Sequence, residues 1–303
     1  MSKKGLRLIL GILFLGLLAW HFLIKDYNYR VSFTTKDSPG LVYRNLVGWE
    51  FLKDLENESI VELLNKQPYQ VVSQSVRVND SLFNYKWKIS KTKDSLTKVV
   101  VYITDTEHQF KQNLLSPFSA NNFVKRSIKT VQDLGQEWVN YRENYQIGPV
   151  SKNRVREQFC AYISLETKVA NKAGSMVRNI ADVMDYINAN NLELKGDPFL
   201  QVTQWDQIQG TIQYDFCFPI SPEDTLVNNT KVKFKTVAAF DGIKTSFNGN
   251  YSISDISWYT LLDYAKENNI PVHNLPFEIY KDDPHSGGNP IQWEAEVYLP
   301  IAQ

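Results

Sequence analysis

QFCAYISLE (158–166), SMVRNIADVMDYINANN (175–191), DPFLQVT (197–203) and TIQYDFCFPI (211–220) are followed in the chain by GIKTSFNGNY (242–251), ISWYTLLDYAKENN (256–269), LPFEIYKDDP (275–284) and WEAEVYLPI (293–301). Each set reads as a strand, a helix with apolar residues every three or four positions, and two further strands. Pro198-Phe199 matches Pro276-Phe277, and Phe218-Pro219-Ile220 matches Leu299-Pro300-Ile301. A single β-α-β-β unit has no second layer large enough to bury its sheet, so two copies side by side are the stable arrangement. The repeat predicts a pseudo-twofold α+β domain over 155–303, with helices on one sheet face and a cleft along the other.

Strand parity sorts the side chains of that domain. In Leu275 to Lys281, Phe277 and Ile279 point one way while Glu278 and Tyr280 point the other; in Trp293 to Leu299, Ala295 and Val297 oppose Glu296 and Tyr298. If the apolar sets pack on the helices, Glu278, Tyr280, Glu296 and Tyr298 share the open face. Parity in the first copy adds Cys160, Tyr162, Gln213, Asp215 and Cys217 to it. Carboxylates among tyrosines suit a hydrophobic or cationic organic ligand, because the rings supply apolar area and a negative π-face while the carboxylate pairs with positive charge. Glu278, Tyr280, Glu296, Tyr298 and Tyr162 are therefore the candidate ligand-binding residues.

Three segments carry a family resemblance: FNGNY (247–251), PFEIYKDDP (276–284) and AEVYLPI (295–301). In this order and spacing they resemble the h-x-G-x-Y, P-x-E-x-Y-x-x-D-P and T-E-h-Y-h-P-h patterns of the GyrI-like small-molecule-binding domain, also found as the effector-binding half of AraC-type activators. Ala295 stands where the pattern has Thr. The resemblance implies that Glu278 lies at the floor of a ligand pocket. It also implies an alternative, since some relatives hydrolyse strained cyclopropane-containing compounds: Glu278 as general base, with Tyr280 or Tyr298 as hydrogen-bond donor. No helix-turn-helix precedes the segment, so the activator role does not carry over. A third alternative is a membrane-bound protein-interaction module, because tyrosine-rich clefts also serve protein recognition.

Composition bounds these alternatives. The 303 residues hold 33 Lys plus Arg against 33 Asp plus Glu, and a zero net charge without a basic block argues against nucleic-acid binding. The four histidines, His21, His108, His273 and His285, lack ligand spacing, so no metal is expected. No P-loop or nucleotide fingerprint is present, and no cofactor is expected. Cys160 and Cys217 are the only cysteines, and a bridge between them remains open.

GLRLILGILFLGLLAWHFLI (5–24) holds eight Leu, three Ile and two Phe with Arg7 as its only charge. Such residues contribute about −4 to −8 kcal/mol in sum to membrane insertion. The run reads as a single-pass anchor over 5–24; a signal peptide is the alternative, although AWHFLIKDYNYR offers no small-x-small cleavage site. Lys3, Lys4 and Arg7 precede the run, which predicts that the bulk of the chain lies on the extracytoplasmic side. Asn57, Asn79, Asn228 and Asn250 begin N-x-[ST] sequons.

Residues 27–147 read as a separate domain, ending at a linker in YQIGPVSKNR (145–154). A strand over 27–33 leads to a helix capped by Ser38, begun by Pro39 and presenting Val42, Leu46, Trp49 and Leu52. Strands over 69–78, 82–89 and 97–103 follow, the first two joined by a turn at Asn79-Asp80-Ser81, then an amphipathic helix over 120–145. SFTTKDSPGLVYRNL (32–46) and this element order resemble the START-like helix-grip fold, in which a hydrophobic ligand lies between sheet and long helix. That family has six or more strands where four are legible here.

Overall fold

A computed structural model describes residues 3–51, 60–78, 81–94, 96–222 and 231–302. Leu52, the sequons at Asn57, Asn79 and Asn228, and the turn residues Asn79 and Asp80 lie outside them. Contacts divide the chain into two units, Met1–Trp138 and Val139–Gln303.

The first unit opens with α1 (Lys3–Ala19), continued by a wider helical turn over Trp20–Ile24. Gly5–Phe22 is long and apolar enough to cross a membrane, with a mean hydropathy of 1.8 and none of its residues buried in the protein; a signal sequence meets the same criteria. Next come β1 (Tyr29–Thr35), α2 (Pro39–Val47), β2 (Ile60–Gln67), β3 (Val71–Val78), β4 (Ser81–Lys91), β5 (Thr97–Asp105), α3 (Gln109–Leu115) and α4 (Asn122–Tyr141). The strands form one antiparallel sheet in the order β1-β5-β4-β3-β2. As its sequence predicts, α2 starts with Pro39 after Ser38, whose Oγ accepts from the Leu41 N–H at 3.4 Å. Leu41, Val42, Tyr43 and Leu46 are buried from that helix, and Phe123, Val124, Val131, Leu134 and Trp138 from α4. β2 is a fifth strand that its sequence conceals. A register shift between Leu63 and Asn65 interrupts the alternation by which strands are recognised, leaving Leu64 half exposed. Helix α4 ends at Tyr141 rather than Tyr145, because Tyr145 opens a strand of the second unit's sheet.

The second unit comprises β6 (Tyr145–Ile147), β7 (Ser151–Val155), β8 (Gln158–Lys168), α5 (Lys172–Ala189), β9 (Phe199–Asp206), β10 (Thr211–Pro219), β11 (Lys233–Val237), β12 (Phe240–Gly249), α6 (Ile256–Glu267), β13 (Phe277–Tyr280) and β14 (Glu294–Pro300). Their order is β11-β8-β10-β9-β13-β14-β12-β6, with β7 also on β12. The two β-α-β-β runs thus occupy β8-β10-β9 and β13-β14-β12 and meet where Glu278 pairs with Leu200. Both helices stop in the same way. Asn191 and Asn269 each adopt φ 52°, and the next residues bond back, Leu192 N–H to Ile187 O at 3.0 Å and Ile270 N–H to Ala265 O at 2.8 Å. Asn tolerates this left-handed conformation better than other non-glycine residues.

The expected linker is instead part of the sheet. β6 and β7 both pair with β12, and Gly148 between them donates to Ser246 O at 2.9 Å and accepts from Thr245 Oγ1 at 2.7 Å. A Cβ at Gly148 would run into Ser246 Oγ, so a side chain here requires that hydroxyl to move. Residues 145–147, assigned by sequence to the first domain, belong to this sheet.

Register corrects the predicted faces. Glu278 lies opposite Val297 and Tyr280 opposite Ala295, whereas Phe277 lies opposite Tyr298 and Ile279 opposite Glu296. Tyr280, Ala295, Val297 and Leu299 join the core beneath α5 and α6; Phe277, Tyr298, Phe199, Cys160 and Cys217 form a smaller cluster on the other face. Glu278 and Tyr280 are therefore on the helix side, opposite Glu296, Tyr298 and Tyr162. Alternation within β13 holds, but the strand is central and buried on both faces, Phe277 at 1% exposure and Glu278 at 0%. Apolarity therefore does not say which side meets the helices.

Candidate functional site

Beneath the helices Glu278 sits at the centre of a closed polar cluster. Lys172, the first residue of α5, places Nζ 2.8 Å from Glu278 Oε2; both side chains are fully buried. Trp258 of α6 donates Nε1–H to Oε1 at 2.5 Å, Tyr280 donates its hydroxyl to Oε2 at 2.6 Å, and Ser254 Oγ lies 2.9 Å from Oε2. The Lys172 ammonium also reaches Ser254 Oγ at 2.5 Å and Tyr251 O at 3.3 Å, so its three protons have three acceptors. It stands 5.4 Å from the Trp258 ring centroid and 5.9 Å from that of Tyr280. A buried ion pair is tolerated only when its lone pairs and protons are satisfied in this way. Burial, then the adjoining Glu278 charge, pushes the Tyr280 hydroxyl well above the usual tyrosine range, so it remains a donor.

The motif residues build the floor and rim around this cluster. A Cβ at Gly249 would stand 2.9 Å from the Phe247 ring. Asn250 caps the short turn Tyr251–Ile253, accepting from Ser252 N–H at 2.9 Å. Tyr251 then donates its hydroxyl to Glu294 O at 2.7 Å, while Asp282 Oδ2 accepts from Glu294 N–H at 2.7 Å. The first bond ties the Tyr251 turn, and the second segment 281–293, to the start of β14. Ala295, where the family pattern has Thr, is fully buried in the apolar core.

Between α5, β10 and this segment lies a cavity of about 680 Å³. Met176, Val177, Ile180 and Met184 line it from α5, Phe216 and Phe218 from β10, and Tyr251, Tyr280 and Trp293 close one end. The Tyr251 and Tyr280 rings pack at 4.8 Å between centroids. Asp197, Lys281, Asp282 and Asp283 are its charged lining residues, with His285 beside them. The cavity thus lies on the helix face, whereas the repeat had predicted a cleft on the opposite one.

The five predicted ligand residues separate accordingly. Tyr280 lines the cavity, and Glu278 is behind it, absent from the lining. Tyr162, Glu296 and Tyr298 lie on the far face within ion-pair groups. Lys235 pairs with Asp215 and stands 4.6 Å over the Tyr162 ring, while Lys244 pairs with Glu296, which also accepts from Tyr298 OH at 3.0 Å. Burial of Glu296 is outweighed by its bonds to Lys244 and Tyr298 and the charge of Lys281, leaving its carboxyl below the usual range. Cys160 and Cys217 are buried free thiols. Burial and its hydrogen bond to Cys160 push the Cys217 thiol up, which opposes formation of a reactive thiolate. Among the described residues no group of His, Cys, Asp and Glu has the arrangement to hold a metal ion.

Lys172, Ser254 and Trp258 were not foreseen. A signal existed for Lys172, which lies four residues before buried Met176 on the helix face turned to the core. A lysine there requires a buried carboxylate.

The GyrI-like small molecule binding domain matches residues 149–302. This chain belongs to the GyrI-like family. Solved structures similar to the chain include the EcmrR C-terminal domain, at 15% identity over 52% of this chain and 98% of that one with a TM-score of 0.44. SAV2435 bound to tetraphenylphosphonium is similar at 11% identity over 51% of this chain and 94% of that one, TM-score 0.35. A hydrolase from Listeria innocua is similar at 13% identity over 50% and 92%, TM-score 0.33. No curated protein matches the chain. The GyrI-like domain supports an effector-like role in binding a small ligand.

Proposed function

We propose that this protein is a membrane-anchored receptor for a hydrophobic organic molecule, held in the GyrI-like cavity between α5 and β10. The cavity carries the proposal: about 680 Å³ lined chiefly by Met176, Val177, Ile180, Met184, Phe216, Phe218 and three aromatic rings at one end. Its size falls within the roughly 300–1,000 Å³ of small-molecule sites. The two β-α-β-β runs are read as a duplication, supported by their matched helix ends and by the paired bridges Leu194–Ile220 and Val272–Ile301. The apolar α1 serves as the anchor, with Lys3, Lys4 and Arg7 keeping its start in the cytoplasm and the two domains outside. The first unit is read as a START-like domain, its five-stranded sheet and long α4 being the features in favour.

The hydrolase alternative needs Glu278 to meet a water. It is at 0% exposure with Lys172, Trp258, Tyr280 and Ser254 on its two oxygens, and a water would have to displace one of these partners. The test is a thermal-shift screen of the purified protein with hydrophobic compounds, followed by calorimetry on wild type and Ile180→Trp, which fills the cavity from α5. Binding by wild type and at least tenfold loss in Ile180→Trp, with an unchanged circular-dichroism spectrum, is expected. Equal binding by both overturns the cavity assignment, and no response to any compound favours the interaction module.

A further inference from the structure

The ammonium of Lys172 is surrounded as a bound organic cation would be. It has a carboxylate at 2.8 Å, the rings of Trp258 and Tyr280 at 5.4 and 5.9 Å, and two further oxygens, from Ser254 and Tyr251. Aromatic faces with a desolvated carboxylate make up the recognition chemistry for ammonium groups. Here one of the protein's own side chains fills that place. The cage is separated from the cavity only by residues shared between them: Tyr280 and Tyr251 line the cavity while bonding Glu278 and Lys172, and Ala173 of the cavity wall follows Lys172 directly.

Resting on the ligand-binding proposal, we infer that Lys172 is a built-in substitute for a ligand's cation, so that the cavity selects neutral hydrophobic molecules and excludes lipophilic cations. The Glu278 charge is spent within the protein. A cation entering the cavity would lose its hydration and find, behind Tyr280, a Glu278 charge already neutralised by Lys172. Three carboxylates, Asp197, Asp282 and Asp283, stand at the rim. Asp197 pairs with Lys281 at 2.9 Å, and Asp282 and Asp283 are exposed, so solvent screens the charge they offer a cation.

The test compares naphthylmethyl-trimethylammonium with its isosteric hydrocarbon, neopentylnaphthalene, which differ only in N⁺ for C. Naphthalene fluorescence reports binding to the full chain in detergent. Wild type is expected to bind the hydrocarbon at least tenfold more tightly. Lys172→Ala, which vacates the ammonium position and leaves Glu278 uncompensated, should reverse the order, and Lys172→Ala/Glu278→Gln should restore it. As a readout independent of the probes, n-butylammonium should raise the melting temperature of Lys172→Ala while 1-butanol should not. A wild type that prefers the cation, or a Lys172→Ala protein that keeps the hydrocarbon preference and ignores n-butylammonium, overturns the inference. Failure of wild type to bind either probe, with n-butylammonium still rescuing Lys172→Ala, overturns the ligand-binding proposal and leaves the cage intact.

Discussion

Removing the charge of Glu278 is more than a change of ligand preference. Its partner Lys172 is fully buried, so Glu278→Gln strands an ammonium away from water. Breaking one side of such a pair costs about 3–5 kcal/mol, whereas replacing both partners with apolar groups of similar volume is often neutral. Urea unfolding is expected to show Glu278→Gln strongly destabilised, and Lys172→Met/Glu278→Leu destabilised through the donors of Trp258 and Tyr280 that it leaves without an acceptor; equal stability of Glu278→Gln and wild type would contradict the buried pair. Buried tyrosines of the second unit set the alkaline limit. Burial pushes the Tyr214 hydroxyl up to about 12 and raises those of Tyr251, Tyr280 and Tyr298 as well. The unfolded chain releases these protons near pH 10 while the folded chain keeps them, so above that pH the folded state binds more protons. Stability is fully present below about pH 10 and declines as pH rises through the folded values. Denaturant midpoints between pH 8 and 11.5 should fall, and less steeply in Tyr214→Phe; a flat profile would contradict the shifts.

At the scale of elements, the edge strands β6 and β7 bind the segment once read as a linker. Gly148→Ala places a methyl into Ser246 Oγ and should destabilise the second unit by ~1–3 kcal/mol, the range for overpacking. The partner variant Gly148→Ala/Ser246→Gly should recover most of that loss. Indifference of the melting temperature to Gly148→Ala would show that the contact is loose. The same segment shows what a sequence conveys about elements. The helix starts at Ser38-Pro39 and the two Asn-Asn helix ends are legible because capping is local chemistry. The strand β2 was hidden by its bulge, and β6 by tyrosines that continue the helical spacing of α4. Which face Glu278 occupies was illegible for a different reason: in a strand buried on both sides, the side chosen depends on Lys172, 106 residues away.

For the whole molecule, the second unit's sheet begins before the expected boundary, and that shifts where the chain is divisible. A fragment 139–303 keeps β6 and β7 on β12, whereas 155–303 leaves that strand's edge without them. The longer fragment should unfold cooperatively and at a higher temperature, and equal melting would mean that the two edge strands are dispensable. The sequence shows the strands and helices of the two β-α-β-β runs in this unit, but not which sheet face meets the helices, nor the location of its cavity, which α5 lines with Met176, Ile180 and Met184. Whether the ligand occupies this cavity is decided by photolabelling the full chain with a hydrophobic aryl diazirine that raises its melting temperature, then mapping the adducts by mass spectrometry. Adducts on Met176, Ile180 and Phe216 that vanish when unlabelled competitor is added are the predicted result; adducts confined to Tyr162, Glu296 and Tyr298 on the far face, or to the first unit, would contradict it.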